Sequence, residues 1–463
     1  MTLVSRYVGD RKFYRKVLGV AVPMMIQNGI TNLVNLLDNV MVGSLSTEAM
    51  SGVSIVNQFM FIFNLLVFGA VSAAGIFTAQ YHGLGDGEGV RYTFRFKFII
   101  TAVAGLLSVG LFWLFDDGLI QMFLHSGSVE GNLELTLAYG RDYLMIMLIG
   151  LIPYAIAQAY ASTMRETGET VVPMIASTAA VATNFVLNYL LIFGHLGLPA
   201  LGVQGAAIAT VASRGVELGI LFFWGHTHKQ KCPYLKGAYR SLYLPAALFG
   251  RISVKGLPLM LNEVFWATAM TFRNQCYSTR GLDVVAAQNI EVTIVNLFSV
   301  VYFALGGSIA IIVGNELGAG KIEKAKDSAR KMMAFSIFCA ATMALLLAAT
   351  SVLFPQLYNV GEDVKTLATF MILSSSVMLP FSAYAHSAYF TIRSGGRVLI
   401  TLLFDSVYMW AFVVPLVFVL SRFTPISIHW LFLVGQGVEI VKCIFGAILL
   451  AKSNWARQLV GKQ

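Results

Sequence analysis

Long apolar runs recur throughout this 463-residue chain, and they constrain its fold more than any other feature. A helix of about 20 apolar residues crosses the ~30 Å hydrocarbon core of a bilayer. Because backbone exposed to lipid must satisfy its own hydrogen bonds, such runs span as helices. Charged residues are 12% of the chain, against roughly 25% in an ordinary soluble domain. The sequence therefore predicts an all-α membrane protein.

Apolar length and loop signals place about twelve transmembrane spans in two sets of six. The first set is predicted near residues 14–42, 52–81, 93–116, 137–164, 171–194 and 202–225. The second set is predicted near residues 256–279, 285–314, 328–354, 364–392, 398–420 and 427–451. The predicted domains are an N-terminal six-helix lobe (1–225), a polar cytoplasmic linker (226–255) and a C-terminal six-helix lobe (256–463).

The two sets of spans repeat one another. A shift of 235 residues lays Pro23 on Pro258, Gly83 on Gly318 and Gly85 on Gly320, and a shift of 228 lays Arg165 on Arg393 and Gly168 on Gly396. An even number of spans per lobe makes the repeat parallel, with a pseudo-twofold axis along the membrane normal. Two such lobes are predicted to enclose a central cleft, as in transporters that work by alternating access.

The net charge of +9 lies mainly between the spans, which indicates membrane orientation rather than nucleic-acid binding. With a cytoplasmic N-terminus, the inward connections hold most of the 32 Lys and Arg, including Arg95 and Lys97. We therefore expect a multi-pass protein of the bacterial cytoplasmic (inner) membrane, with both termini in the cytoplasm. The predicted partners are small-molecule substrates and the lipid bilayer, and a chain with two lobes is predicted to work as a monomer.

The first span carries a polar stripe. Gln27, Thr31, Asn35 and Asp38 follow one another at helical spacing, so they share one face of the helix. Polar groups inside a membrane are costly unless they face protein or water. We therefore expect this face to line the interior, with Gln27, Thr31 and Asn35 as candidate substrate-lining residues.

Asp38 is the candidate ion-coupling residue. Counted at 1.5 Å per residue, it reaches the same depth as Asn184 and Asn188 on the fifth span and Thr210 on the sixth. A carboxylate, amides and a hydroxyl are suitable ligands for Na⁺, and a buried Asp can instead carry a proton. The alternative for the three neutral residues is hydrogen bonding between helices.

The second lobe has its own acidic site. Glu263 and Asp405 fall at comparable depth and suggest a second cation-responsive or substrate-facing site. Trp266 and Tyr408 lie near them and are candidate substrate-lining rings through cation–π contact. Three other charged pairs are interpreted as structural ion pairs, namely Arg273 with Glu291, Arg214 with Glu217, and Glu439 with Lys442.

Several function classes are not indicated by any motif. The sequence has no nucleotide-binding phosphate loop and no channel filter signature. Its four cysteines lack metal or disulfide spacing, and we find no catalytic constellation. We therefore expect a protein that is not an enzyme and has no cofactor other than a coupling ion.

The chain resembles the multidrug and toxic compound extrusion (MATE) family, within the multidrug, oligosaccharidyl-lipid and polysaccharide exporter superfamily. The resemblance covers nearly the whole chain. It depends on Val-Pro, Asp38 and Val-Gly between Val22 and Gly43, R-E-T-G-E-T from Arg165, N-F-V-L-N-Y-L-L-I-F-G from Asn184, G-A-A-I-A-T from Gly205, and G-N-E-L-G-A-G from Gly314.

This resemblance implies export of small amphipathic, mostly cationic compounds, driven by inward movement of Na⁺ or H⁺. It implies that Asp38 is the coupling acid, with Asn184 and Thr210 as partners and potential Na⁺ ligands. Glu263 and Asp405 would be the C-terminal acids. Asn188 stands where many members have Asp, which weakens Na⁺ binding and leaves the coupling ion open. The same architecture also admits an alternative, a flippase for a lipid-linked precursor.

Overall fold

The structure is a computed structural model that describes residues 6–121 and 132–461, except for the side chains at 34–36, 39, 40 and 117. Most of these ranges are helical, and no strand occurs in them, which confirms the all-α prediction. The long helices are α1 (Arg11–Gly43), α2 (Thr47–Leu84), α3 (Gly87–Leu114), α4 (Leu133–Glu166), α5 (Val171–Phe193), α6 (Gly202–Thr227), α7 (Ala246–Ser278), α8 (Leu282–Gly318), α9 (Ile322–Thr350), α10 (Glu362–Ser394), α11 (Val398–Phe423) and α12 (Ile428–Lys452).

Ten of these helices within the described ranges are long and apolar enough to cross a membrane. The other two, α1 and α7, also have the length of a span but are more polar. Helix α1 carries the predicted polar stripe, and α7 carries Arg251, Lys255, Glu263 and Arg273. The helices therefore match the twelve predicted positions, and the two most polar ones hold the candidate acids Asp38 and Glu263.

The stretch at 226–255 is more ordered than a predicted polar linker. Helix α7 begins at Ala246 rather than near residue 256, and Arg251 lies over the ring of Phe77, 5.6 Å from its centroid. Arg95 donates to the carbonyls of Gly237 (3.1 Å), Ala238 (2.8 Å) and Tyr243 (3.1 Å). The connection thus packs on α3, and Arg95 belongs to that helix rather than to a loop.

The chain divides into two compact units. The C-terminal unit comprises Met1–Met25, Ala79–Gly85 and Leu257–Gln463, and the N-terminal unit comprises Ile26–Thr78 and Asp86–Gly256. Each unit has its own apolar core. The start of α1 and the end of α2 thus belong to the unit that contains α8 to α12. The predicted lobes at 1–225 and 256–463 remain a prediction from the repeat.

Equivalent turns of the two halves have the same backbone geometry. Gly85 and Gly320 follow α2 and α8 with φ of 80° and 72°, and Gly168 and Gly396 follow α4 and α10 with φ of 94° and 74°. This left-handed region is accessible to glycine without strain and commonly ends helices. The aligned Arg165–Gly168 and Arg393–Gly396 segments therefore both end helices, and the repeat extends to their geometry.

Within the C-terminal unit, the ends of α2 and α8 cross in reciprocal contact. A Cβ added to Gly83 would overlap the carbonyl of Asn315, and one added to Gly318 would overlap the carbonyl of Gln80. Residues 80 and 83 correspond to 315 and 318 under the 235-residue shift. The two contacts are therefore equivalent under the predicted pseudo-twofold relation, and glycine is required because backbone lies against backbone.

Replacement of Gly318 by alanine is expected to destabilise the protein. The new methyl group would meet backbone of α2, which cannot rotate away as a side chain can. The matched control is Gly219→Ala on α6, where a Cβ would meet nothing within 4 Å and better helix propensity is worth about 0.5–1 kcal/mol. Thermal unfolding in one detergent should show a lower midpoint for Gly318→Ala alone. Equal midpoints for the two variants would contradict the close crossing.

Residues 453–461 form an extended C-terminal strap on the C-terminal unit. Gln80 donates to the carbonyls of Ser394 (3.0 Å) and Arg457 (3.1 Å) and accepts from the Leu459 amide (2.6 Å). The side chains of Trp455 and Val460 are buried. The strap therefore joins the ends of α2 and α10.

Candidate functional site

The polar cluster of the N-terminal unit is built by three helices. Asp38 lies on α1 and Thr210 on α6, while Asn184 and Asn188 lie one turn apart on α5. Since residues four apart share a helix face, both amides point to the same side. Their side chains are buried, so the structure brings together the four residues expected to meet. Their role in ion coupling remains a prediction.

Asn188 holds the Asp38 carboxylate directly. Its Nδ2 donates to Asp38 Oδ1 at 2.6 Å and lies 3.1 Å from Asn184 Oδ1. Thr210 Oγ1 lies 3.2 Å from the Asn184 amide and donates to the carbonyl of Ala206 at 3.0 Å. One chain of hydrogen bonds therefore links the carboxylate on α1 to the hydroxyl on α6.

The orientation of the Asn184 amide follows from its neighbours, because oxygen and nitrogen are assigned from hydrogen bonding. With its nitrogen towards Asp38, the amide donates to both carboxylate oxygens, at 2.9 and 3.1 Å. Its oxygen then lies 3.2 Å from Thr210 Oγ1. In this orientation two amides donate to Asp38, which stabilises the ionised carboxylate.

The donor set fits a monovalent cation. The described residues contain no cluster of three or more His, Cys, Asp or Glu that could hold a metal ion, and this cluster has one carboxylate. Asn188 Oδ1 is buried and has no hydrogen-bond partner. Asp38, Thr210, Asn184 and Asn188 all carry oxygen atoms of the kind that Na⁺ prefers, while a proton needs only the carboxylate.

An arginine follows the cluster on α6, one turn after Thr210. The Arg214 guanidinium lies over the ring of Tyr154, 5.1 Å from its centroid, and its buried Nη1 has no hydrogen-bond partner. Among the described residues no ion pair within 4 Å joins Arg214 to Glu217, so the predicted i, i+3 pair is wrong.

The C-terminal unit holds a second cluster, around Asp405 on α11. Its Oδ1 accepts from Lys442 Nζ of α12 at 2.7 Å, and its Oδ2 accepts from Asn262 Nδ2 of α7 at 3.1 Å. Asn262 Nδ2 also lies 3.3 Å from the hydroxyl of Tyr389 on α10. Three helices thus meet at one carboxylate, both of whose oxygens accept hydrogen bonds, and α10 joins the cluster through Tyr389 and Asn262.

Glu263 belongs to the same cluster. Its carboxyl group lies within hydrogen-bonding reach of Tyr389 and close enough to Asp405 and Arg393 for electrostatic interaction. Ser406 holds Asn262, the residue before Glu263, because its Oγ donates to the backbone carbonyl and side-chain oxygen of Asn262 at 2.6 and 2.8 Å. The two acids expected at one depth therefore do lie together.

Helix α11 is not a regular α-helix where it carries Asp405. Its segments Leu403–Val407 and Met409–Val413 are π-helical. Such wide turns are rare and frequent at functional sites. Asp405 lies in the first of these segments, and its carboxylate contacts α7 and α12.

Two predicted ion pairs of this unit are wrong. Lys442 pairs with Asp405 rather than with Glu439, which lies only three residues away on the same helix. Glu291 accepts from Ser375 Oγ at 2.5 Å. In the described part of the chain Arg273 forms no ion pair with it within 4 Å and instead lies over the Tyr277 ring, at 5.9 Å.

The predicted substrate-lining residues have different surroundings. Thr31 donates to the Gln27 carbonyl at 2.9 Å, and the side chain of Asn35 lies outside the described residues. Trp266 is partly buried against the core. Tyr408 is buried and donates to the Val438 carbonyl at 2.8 Å, which indicates packing. Substrate contact by these residues remains a prediction.

Sequence comparisons place these clusters in a family context. The MatE family model matches residues 23–190 and 258–419. A probable multidrug resistance protein NorM of Thermotoga maritima is 22% identical over 453 residues, covering 96% of this chain and 94% of that protein. The multidrug resistance protein MdtK of Edwardsiella ictaluri is 26% identical over 367 residues, covering 78% of each chain.

Solved structures share the fold. A multidrug resistance MATE family transporter of the MOP superfamily, in an outward-facing conformation, superposes with a TM-score of 0.85 at 19% identity, covering 97% of this chain and 98% of that one. A mutant of the Vibrio cholerae MATE transporter VcmN gives 0.86 at 17% identity, covering 96% and 98%. The similarity extends over nearly the whole length of each chain.

Proposed function

Since this chain belongs to the MatE family of membrane transporters, we propose that it is an antiporter that exports small amphipathic organic cations. An inward gradient of H⁺ or Na⁺ drives the export by alternating access. The protein lies in the bacterial cytoplasmic membrane with both termini inside. It works as a monomer, binds no nucleic acid, catalyses no covalent reaction and needs no cofactor besides the coupling ion.

The observation that carries this proposal is the Asp38 cluster. One carboxylate on α1 is held by Asn188 at 2.6 Å, in a set of neutral side chains that includes a buried oxygen, Asn188 Oδ1, without a hydrogen-bond partner. A cation that arrives at Asp38 cancels the charge and competes with the amide donors. Binding therefore changes how α1 is held against α5 and α6.

Such a change drives transport only if the ion prefers one conformation. An ion shifts a two-state equilibrium by its differential affinity for the two states, and by no more than that. In the proposed cycle the cation binds Asp38 when the site faces outward, where the organic cation is released. Loss of the cation to the cytoplasm then restores affinity for the next substrate.

The choice of coupling ion depends on Asn188. A second carboxylate at this position would attract Na⁺ strongly, whereas an amide contributes only a dipole. A proton needs one carboxylate with altered hydrogen bonding, and Asp38 supplies it. Both ions are compatible with the cluster, so the experiment must separate them.

Uptake into inverted membrane vesicles tests the proposal. A fluorescent organic cation such as ethidium should accumulate in vesicles that contain the protein when a pH gradient or a Na⁺ gradient is imposed alone. The gradient that drives accumulation identifies the coupling ion. Absence of uptake with either gradient, together with movement of a lipid-linked sugar analogue, would instead support the flippase.

A further inference from the structure

The Asp405 cluster contains its own cation. Lys442 enters from α12, its side chain is only 9% exposed, and Nζ lies 2.7 Å from Asp405 Oδ1. No other ion pair within 4 Å of Lys442 occurs among the described residues. A buried ammonium in this position neutralises the carboxylate, as an external cation would.

Besides Lys442, Asp405 has a neutral hydrogen-bond partner, so the position of Lys442 is the cation position of this carboxylate. Asn262 donates to the second oxygen, Oδ2, at 3.1 Å, and is itself fixed by Ser406. The ammonium also lies over the Phe404 ring, with the ring centroid 5.5 Å from Nζ. A carboxylate together with an aromatic face is a typical site for an organic cation.

Lys442 also has an alternative partner on its own helix. Glu439 lies three residues earlier on α12 and interacts with Lys442 electrostatically, although the two are not paired. Residues three apart on a helix can pair by rotation of side chains alone. The ammonium can therefore leave Asp405 for Glu439 without movement of the backbone.

We infer that Lys442 is a tethered cation that occupies the position where an organic-cation substrate binds Asp405. The inference depends on the proposed function, because it assigns the substrate class to this site. A substrate that carries a positive charge displaces the ammonium to Glu439 and takes its place between Asp405 and the Phe404 ring. Neutral compounds do not displace it, so Lys442 determines specificity for cations.

Binding of tetraphenylphosphonium to the purified full chain tests this inference. Lys442→Gln removes the competitor, so the Kd should fall by about ten-fold, as expected when the free site rises from a tenth of the population. Lys442→Arg, which keeps the charge, should bind within about two-fold of the wild type. Lys331→Gln is the matched control, since it removes an ion pair with Asp327 (2.6 Å) outside the cluster, and should not change the Kd.

If Lys442 has a merely structural role, folded Lys442→Gln should bind tetraphenylphosphonium more weakly than the wild type or equally well. Either result would overturn the inference. The double variant Asp405→Asn, Lys442→Gln should lose the gain in affinity. Retention of the gain would place the cation elsewhere. If the wild type neither binds nor exports organic cations, the proposed function itself fails, which separates the two outcomes.

The unaltered protein offers a second measurement. Displacement moves the Lys442 amine from Asp405 to Glu439, so tetraphenylphosphonium should change its rate of modification by an amine-reactive label, as measured by mass spectrometry. Lys331 serves as the internal control in the same sample. Equal labelling of Lys442 with and without the ligand would contradict displacement even if the variants failed to fold.

Discussion

Asp38→Asn is expected to reduce gradient-driven accumulation of an organic cation to the level of protein-free liposomes. The substitution keeps the size of the side chain but removes the only charge of the cluster that can bind H⁺ or Na⁺. Without differential ion binding, the ion gradient no longer biases the two conformations. A ten-fold shift of the equilibrium between the two conformations corresponds to about 1.4 kcal/mol, so the loss of even a modest coupling free energy is measurable in proteoliposomes.

The matched variant is Asn188→Asp, which adds a second carboxylate beside the first. It should make transport more dependent on Na⁺, because charge in the ligand set increases affinity for a metal cation. Thermal unfolding of both variants provides the control for folding. If Asp38→Asn transports with unchanged ion dependence, coupling resides elsewhere, and the Glu263 and Asp405 cluster becomes the candidate.

Lys97→Met is expected to lower the free energy of unfolding by about 3–5 kcal/mol, since it leaves a largely buried carboxylate without its partner. Lys97 is fully buried on α3 and pairs with Glu166 at the end of α4. It also donates to Thr163 Oγ1 at 3.2 Å. The pair lies against Gly75 of α2, where a side chain would overlap the Glu166 carboxylate, so it joins three helices.

The double variant Lys97→Met, Glu166→Leu separates the ion pair from packing. Replacement of both partners of a buried pair by apolar residues is often neutral or stabilising, so most of the lost stability should return. Unfolding by steric trapping in one detergent would measure both variants. The contrary result is a loss in free energy of unfolding equal to the sum of the losses in Lys97→Met and Glu166→Leu. That result would show that the ion pair does not determine stability at this position.

The N-terminal cluster could be predicted from the sequence because its geometry is local and regular. Asp38, Asn188 and Thr210 each lie on a continuous helix, so depth follows from the count of residues. The repeat could also be predicted, since turns such as those at Gly85 and Gly320 require glycine for a backbone reason.

The partners of charged residues were less predictable. Sequence spacing favours Glu439 for Lys442, but Lys442 pairs with Asp405 instead, which lies in a π-helical segment of α11 that the residue pattern does not indicate. Lys97 was expected in a connection because it is charged, yet it is buried on α3. In each case a contact between distant residues outweighs the local pattern.

The C-terminal strap was missed for a different reason. Residues 453–461 are too short and mixed for a periodic signal, and their position depends on Gln80, more than 370 residues away along the chain. The hydrogen bonds of Gln80 to backbone carry no signature in the sequence of the strap. A buried glutamine near the end of a long apolar span was the one available signal.

Substrate-driven ion movement tests antiport through Asp38 most directly. Proteoliposomes are loaded with equal ion concentrations on both sides, and a gradient of ethidium is then the only driving force. A trapped dye for pH or Na⁺ should report ion movement opposite to the substrate in the wild type and none in Asp38→Asn. Substrate movement without any ion movement in the wild type, or unchanged ion movement in Asp38→Asn, would contradict coupling at this carboxylate.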